Sequence, residues 1–327
     1  MYSAEKLREI INNEIDRRLA QLSARKPEEL YAPVKYSLGA GGKRLRPVLL
    51  LTSFNLFSDE IEKALPAAIA VEVFHNFTLL HDDIMDKAEM RRNNPTVHVK
   101  FSENNAILSG DAMAFLSYQY LAEYHTPQLF DVVDLFTKTA LQVCEGQQYD
   151  MDFENRMDVT EEEYLEMIRL KTAVLLGCSL KAGALLAGTS GETAQQLYNY
   201  GINLGMAFQL QDDWLDTFGN QKDFGKKIGG DILANKKTWL LIKALEKASG
   251  QAKTSLTYWL DAKEYAETEK INSIIAVYNE LGIKMLGEEK IKFYFNAAEK
   301  IVQDLPVSEL RKAPLQKFGR SMLGRSV

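Results

Sequence analysis

The sequence predicts an all-α protein, and three observations carry that prediction. None of the eight prolines falls between Pro127 and Pro306, and proline breaks helix interiors and is excluded from most central strands. The same stretch is rich in Leu, Ala, Glu, Lys and Gln, which favour helix. The period-two alternation of half-buried strands is nearly absent. Hydrophobic residues make up 46% and charged residues 26% of the 327, which is ordinary globular usage and excludes a disordered or fibrous chain.

The pattern places helices at about 3–24, 48–57, 60–86, 103–123, 128–153, 160–188, 191–217, 236–248, 251–260, 264–282, 285–304 and 306–322. Residues 1–18, which include most of the first, are charged throughout, with no apolar core of a signal peptide. Ser58-Asp59-Glu60 offers polar caps to the third. Thr160-Glu161-Glu162-Glu163 reads as a capping box for the sixth. That helix is apolar on nearly every face over 171–188, which predicts burial at the centre of the fold. Breaks rich in glycine or charge fall at 38–42, 87–97 and 218–230. No linker composition or internal repeat divides the chain, so one all-α domain over 1–327 is expected.

The formal net charge of −6 argues against nucleic acid as a partner. No apolar run reaches the roughly 18–20 residues of a membrane span. Cys144 and Cys178 lack CxxC spacing and read as reduced thiols of a cytoplasmic protein.

The strongest chemical signal is a doublet. Asp82-Asp83-Ile84-Met85-Asp86 and Asp212-Asp213-Trp214-Leu215-Asp216 are both DDxxD, and each closes an apolar helical segment. Positions i and i+4 share a helix face, so each motif presents carboxylates one turn apart. They repel one another, and the negative end of the helix dipole disfavours them further. A cation that compensates this charge explains the pattern. Hard oxygen ligands with coordination positions to spare suit Mg²⁺ carrying a substrate phosphate.

Basic residues gather at the breaks. Gly41-Gly42-Lys43-Arg44-Leu45-Arg46-Pro47 joins a glycine turn to three cations, and Arg91-Arg92 follows the first acidic turn. Lys171-Thr172 opens the apolar stretch, and Lys226-Lys227 and Lys236-Lys237 follow the second acidic turn. In a net acidic chain they suggest two anion pockets, one bridged by metal and one purely basic. The loop at 219–230 is suited to serve as a lid. Glu72-x-x-His75 matches half of a di-iron helix pair, but the second half is missing from the sequence. Asp150-x-Asp152-x-Glu154 resembles the start of a calcium loop with Asn155 in place of its glycine.

With these motifs in this order, the chain resembles the trans-type, head-to-tail polyprenyl diphosphate synthases over about residues 36–240. The resemblance also draws on Pro95-Thr96-Val97-His98, Gly110-Asp111, Gly146-Gln147-x-x-Asp150, Phe208-Gln209 and Gly230-Asp231-Ile232. It implies the isoprenoid synthase fold, with helices around a deep central cavity, a homodimer and three Mg²⁺ ions on an allylic diphosphate. Asp82, Asp86 and Asp212 would be direct ligands, with Asp83, Asp213 and Asp216 assisting or acting through water. Arg91, Lys171, Lys226 or Lys227, and Lys236 would hold the allylic diphosphate. Lys43, Arg46, His75 and Arg92 would hold isopentenyl diphosphate without metal. Thr172, Gln209 and Asp150 would line the reacting carbon. The implied reaction is ionisation, condensation and loss of a proton, which needs no side-chain nucleophile.

Phe77 lies five residues before Asp82, roughly 7–8 Å down a helix, and Phe74 lies eight before, roughly 12 Å down. Long-chain relatives tend to carry a small residue at the nearer position, so Phe77 implies a short product, geranylgeranyl diphosphate first and farnesyl diphosphate next. The first motif has two residues between its acidic pairs, not the four of many bacterial farnesyl synthases. Two other activities share these features in part. A terpene cyclase shares the fold and the first acidic turn, and a non-catalytic subunit of a heteromeric synthase commonly loses the acidic ligands.

Overall fold

The computed structural model describes residues 1–219 and 228–323. Helices succeed one another as α1 (Ala4–Leu22), α2 (Glu28–Gly39), α3 (Leu45–Asn55), α4 (Leu65–Met85), α5 (Val97–Lys100), α6 (Glu103–Leu121), α7 (Leu129–Glu154), α8 (Glu161–Ile168), α9 (Val174–Leu186) and α10 (Gly191–Phe218). After them come α11 (Gly230–Leu233), α12 (Trp239–Lys247), α13 (Gly250–Asp261), α14 (Glu267–Glu280), α15 (Ile283–Asp304) and α16 (Glu309–Leu323). Among the described residues, extended structure is confined to one antiparallel ladder, β1 (Met90–Arg91) with β2 (Asn94–Pro95). The all-α class stands.

Two departures from the expected helices are informative. Helix α2 forms in spite of Pro33, which lies inside it. Its buried face of Pro33, Val34 and Leu38 packs toward α6, so tertiary burial overrides local propensity. The expected continuous helix over 160–188 is interrupted by a π-helical turn at Arg169–Ala173, between α8 and α9. Such turns are uncommon and recur at functional sites.

The chain divides into two compact units. The first comprises Met1–Thr137, Cys178–Leu197 and Pro306–Leu315. Its core is built on α3 and α4, where Leu49, Leu50, Leu51, Val71 and Val73 are buried, and α4 packs against both α3 and α6. Arg18 ties α1 to the end of α6 through Glu123, at 2.5 Å.

The second comprises Lys138–Gly177, Tyr198–Leu305 and Gln316–Val327. Its core gathers Trp214, Trp239, Leu240, Leu256, Ile274 and Tyr278, among others. The capping box forms as expected: Thr160 accepts from the Glu163 amide, and Glu163 accepts from the Thr160 amide. Its neighbour Glu161 accepts from Lys243 at 2.5 Å, Lys290 at 2.8 Å and the Trp239 indole at 3.0 Å. Burial opposes ionisation there, but these hydrogen bonds outweigh it and hold the carboxyl at about 2. A depressed carboxyl contributes stability above its unfolded value of about 4.5 and loses it as pH falls toward 2. The contribution at neutral pH is at most about 3 kcal/mol. Glu161→Gln is therefore expected to lower Tm at pH 7, with the gap to wild type closing as calorimetry is repeated from pH 5 down to pH 2.

Candidate active site

Helix α4 delivers the first acidic turn at its C-terminal end. The Asp86 amide donates to the Asp82 carbonyl at 2.8 Å, which keeps the two residues one helical turn apart with Asp86 as the C-cap. Asp82 is half-buried and Asp86 exposed. Asp83 is buried, and its carboxylate accepts from Arg91 Nε at 2.7 Å. Burial raises its pKa in spite of that guanidinium. The β1–β2 hairpin aims Arg91 backward. Left-handed residues Lys87, Arg92 and Asn93 make its turns, and the Thr96 hydroxyl closes it on the Ala88 carbonyl at 2.6 Å.

The basic turn lies in the same unit. Arg92 donates to the Gly41 carbonyl. A Cβ on Gly42, whose φ is 136°, would stand 2.9 Å from the Arg92 guanidinium, so a side chain there would displace the arginine. Arg44 takes a left-handed φ of 51° and turns inward to pair with buried Glu72 at 2.6 Å. It also donates to the Leu38 carbonyl at 2.9 Å. Arg46 Nη1 lies 2.9 Å from His75 Nε2. A guanidinium only donates, so His75 accepts on Nε2 and carries its proton on Nδ1. Burial and then the neighbouring cations Arg46, Arg92, Arg91 and Arg44 push the His75 pKa well below its usual value. Burial also lowers Arg46 to about 10, against the pull of Glu72. Arg46 Nε is buried with no protein partner. Burial is the main cause that lowers the pKa of both Arg46 and Arg92, with Glu72 opposing it in each, and this concentration of positive charge is suited to an anion.

An aromatic ladder descends from the acidic turn. The Phe77 ring lies 4.8 Å from His81 and 5.4 Å from Phe74, Phe74 lies 5.1 Å from Phe136, and Phe136 lies 5.2 Å from Tyr118. Phe74 is buried and Phe77 half-buried.

In the second unit, the π turn presents Lys171 and Thr172. Lys171 pairs with Asp150 of α7 at 2.5 Å. A Cβ on Gly146 would meet the Lys171 amide at 2.3 Å, so glycine is what lets α7 approach. Burial favours neutral Asp150, but Lys236 and Lys171 prevail and hold its carboxyl below the usual range. Thr172 donates to Gln209 at 3.1 Å, and Gln209 donates to Asp213 at 3.0 Å. Asp213 also accepts from the buried Tyr164 hydroxyl. Burial and then Asp231 push Asp213 up to about 7. Buried Asp216 accepts from the Asp231 amide at 2.9 Å, while Asp212, one turn before it on α10, is half-buried. Lys226 and Lys227, with most of the loop at 219–230, lie outside the described residues.

Sequence reasoning named Arg44, Glu72 and Asp231 within motifs but not the Arg44–Glu72 pair or the Asp231 amide on Asp216, and it missed Tyr164. The Glu72-x-x-His75 spacing was visible, but its partners come from α3 and the turn before it. Nothing local marks Tyr164 as a partner of Asp213, 49 residues away.

Among the described residues, no group of three or more His, Cys, Asp or Glu side chains gathers into a protein cage for a metal. The donor set itself fits Mg²⁺, which binds through one or two carboxylates together with substrate phosphate and water. Asp82 and Asp86 bring hard oxygens from one turn, and Asp83, Asp213 and Asp216 accept from protein donors.

Comparison with known proteins gives a consistent result. The family model described as "Polyprenyl synthetase" matches residues 27–278. The geranylgeranyl diphosphate synthase of Methanosarcina mazei is 45% identical over 69% of this chain and 70% of its own length. The geranylfarnesyl diphosphate synthase of Natronomonas pharaonis is 40% identical over 73% and 75%. A crystal structure of geranylgeranyl pyrophosphate synthase superposes with a TM-score of 0.94 at 42% identity and covers 100% of both chains. Among the described residues, no helix is long and apolar enough to cross a membrane.

Proposed function

Since the chain belongs to the polyprenyl synthetase family and is a prenyltransferase of the isoprenoid synthase fold, we propose that it condenses isopentenyl diphosphate with allylic prenyl diphosphates and releases chiefly geranylgeranyl diphosphate, ahead of farnesyl diphosphate. One observation carries this reading. A carboxylate turn suited to a metal-bound diphosphate and a metal-independent basic cluster of Arg46, His75 and Arg92 occur in one unit. Such a pairing serves two diphosphate substrates. A terpene cyclase, which acts on one, has no need of the second pocket, and a non-catalytic subunit has no need of intact acidic turns.

Magnesium dependence is typical of the family, and we assign three ions here, with Asp82, Asp86 and Asp212 as direct ligands. When bound, Mg²⁺ neutralises the charge that develops on the departing diphosphate. Asp83, Asp213 and Asp216 support that ligand set through their protein hydrogen bonds. Arg91, Lys171, Lys236 and Lys226 or Lys227 hold the allylic diphosphate, while Lys43, Arg46, His75 and Arg92 orient isopentenyl diphosphate. Thr172, Gln209 and Asp150 stand by the carbon where the allylic cation forms. The isopentenyl double bond attacks that cation, and a proton then leaves to the released diphosphate. A neutral His75 fits this role, because it accepts from Arg46 and keeps the guanidinium aimed.

Oligomeric state and location can be assigned on the same footing. Exposed Ile107, Leu108 and Phe115 on α6 support association as a homodimer. Cys144 and Cys178, neither in a disulfide, support a cytoplasmic location.

The test is incubation with labelled isopentenyl diphosphate, Mg²⁺ and each allylic primer in turn, with the products sized by chromatography. Absence of elongated prenyl products with every primer would refute the assignment. Arg46→Gln is expected to raise KM for isopentenyl diphosphate by about 10–100-fold, the range of a lost charged hydrogen bond. Its KM for the allylic primer should stay within about threefold, since no metal-bound group is touched.

A further inference from the structure

We propose that Tyr164 is a positioning residue: acting through Asp213, it fixes which way the Gln209 amide faces and so sets the polarity of the Thr172 hydroxyl beside the reacting carbon. This rests on the prenyl-transfer reading above. The geometry is a four-member chain within one unit. Tyr164 donates to Asp213 Oδ2, Gln209 Nε2 donates to Asp213 Oδ1 at 3.0 Å, and Thr172 Oγ1 donates to Gln209 Oε1 at 3.1 Å.

An amide side chain has one accepting and one donating end, and a carboxylate only accepts. Tyr164 donates to one oxygen of Asp213 and Gln209 Nε2 to the other, so both Asp213 oxygens act as acceptors, and the opposite amide flip would set Oε1 against one of them. The Gln209 oxygen therefore faces Thr172, and the single hydroxyl proton of Thr172 is committed to it. What Thr172 presents elsewhere is lone pairs, an electron-rich oxygen suited to a developing carbocation. Without Tyr164, Asp213 loses one of its two fixing bonds and can rotate about its side-chain torsions, which releases the amide.

Tyr164 is well placed for this work. It is 1% exposed, and its amide bonds to the carbonyl of Thr160, the N-cap whose capping box starts α8. A rigid helix start thus carries the hydroxyl that ends in the Asp213 carboxylate. Preorganised dipoles of this sort accelerate a reaction because they need no reorientation as charge develops.

Tyr164→Phe removes the hydroxyl and keeps the ring. We expect kcat to fall about 10–100-fold, below the effect of losing a group that itself touches the transition state, with both KM values within about threefold. In Thr172→Val, which has no hydroxyl left to orient, adding Tyr164→Phe should change kcat less than about twofold. A second readout is independent of turnover. With ¹⁵N-labelled glutamine side chains, the Gln209 carboxamide protons should exchange slowly in wild type and faster in Tyr164→Phe. Should Tyr164→Phe fail to fold, Asp213→Ala, which takes away the acceptor that Gln209 bonds to, must show the same faster exchange. An unchanged kcat, an additive double variant or an unchanged amide would each overturn the proposal. Altered exchange in an enzyme that forms no prenyl product would refute the functional reading and leave the relay standing.

Discussion

Asp82→Ala and Asp212→Ala are each expected to reduce condensation by more than about a thousandfold while the protein stays folded. The size comes from the chemistry. Ionising an allylic diphosphate places charge on a leaving group that only cations can stabilise, and Lewis-acid stabilisation is worth several kcal/mol, at 1.36 kcal/mol per tenfold in rate. The sparing of the fold comes from position. Asp82 sits one turn before the end of α4, and its partner Asp86 is already the C-cap. Removing one of two like charges at i and i+4 relieves repulsion worth a few tenths of a kcal/mol. Asp212 lies on α10 beside Asp213, whose own bonds to Tyr164 and Gln209 remain. Product formation would be measured with labelled isopentenyl diphosphate, and circular dichroism would verify helix content. Rates within tenfold of wild type in either variant would contradict the metal role.

The second large effect concerns product length. Phe77→Ala is expected to move the main product to a longer chain. The ring it removes is the first rung below the acidic turn, in contact with His81 above and Phe74 below. Phe74 then becomes the barrier. It lies three residues deeper, about 4.5 Å at 1.5 Å per residue, which gives room for about one more five-carbon unit. That barrier is firm, because Phe74 packs edge-on against Phe136 and Phe136 against Tyr118. The expected shift is therefore limited to about one unit. Stability should fall by about 2 kcal/mol, less than for a fully buried phenylalanine, because Phe77 is half-buried. An unchanged product distribution would remove Phe77 as the floor. That one relative carries the name geranylgeranyl diphosphate synthase and another geranylfarnesyl diphosphate synthase shows how fine this distinction is within the family.

The helical architecture was legible because proline spacing and residue periodicity are local properties. The capping box at Thr160 was equally readable, since its partners lie three residues apart. Helix α2 escaped because Pro33 weighs against it locally, and the burial that outweighs the proline comes from α6, far along the chain. The acidic and basic motifs stood out as runs. Their internal division of labour did not. Asp83 differs from Asp82 only because a hairpin returns Arg91 to it. Arg44 differs from Arg46 because a left-handed backbone turns it toward Glu72 and leaves Arg46 to His75. Such differences depend on contacts between distant segments, and a motif carries no record of them.

The π turn at Arg169–Ala173 bears on how this helix tolerates length changes. A π turn closes i→i+5 bonds where an α turn closes i→i+4, so it accommodates one extra residue. Each residue of an α-helix turns the chain by about 100°. Removing one residue here would let the segment anneal into a seamless helix, at the cost of swinging Lys171 and Thr172 about a quarter-turn relative to α9. Asp150 and Gln209 could then no longer be met at the same time. The irregular turn works as a phase adjuster, and point substitutions that preserve chain length should be far better tolerated in it than a single-codon deletion.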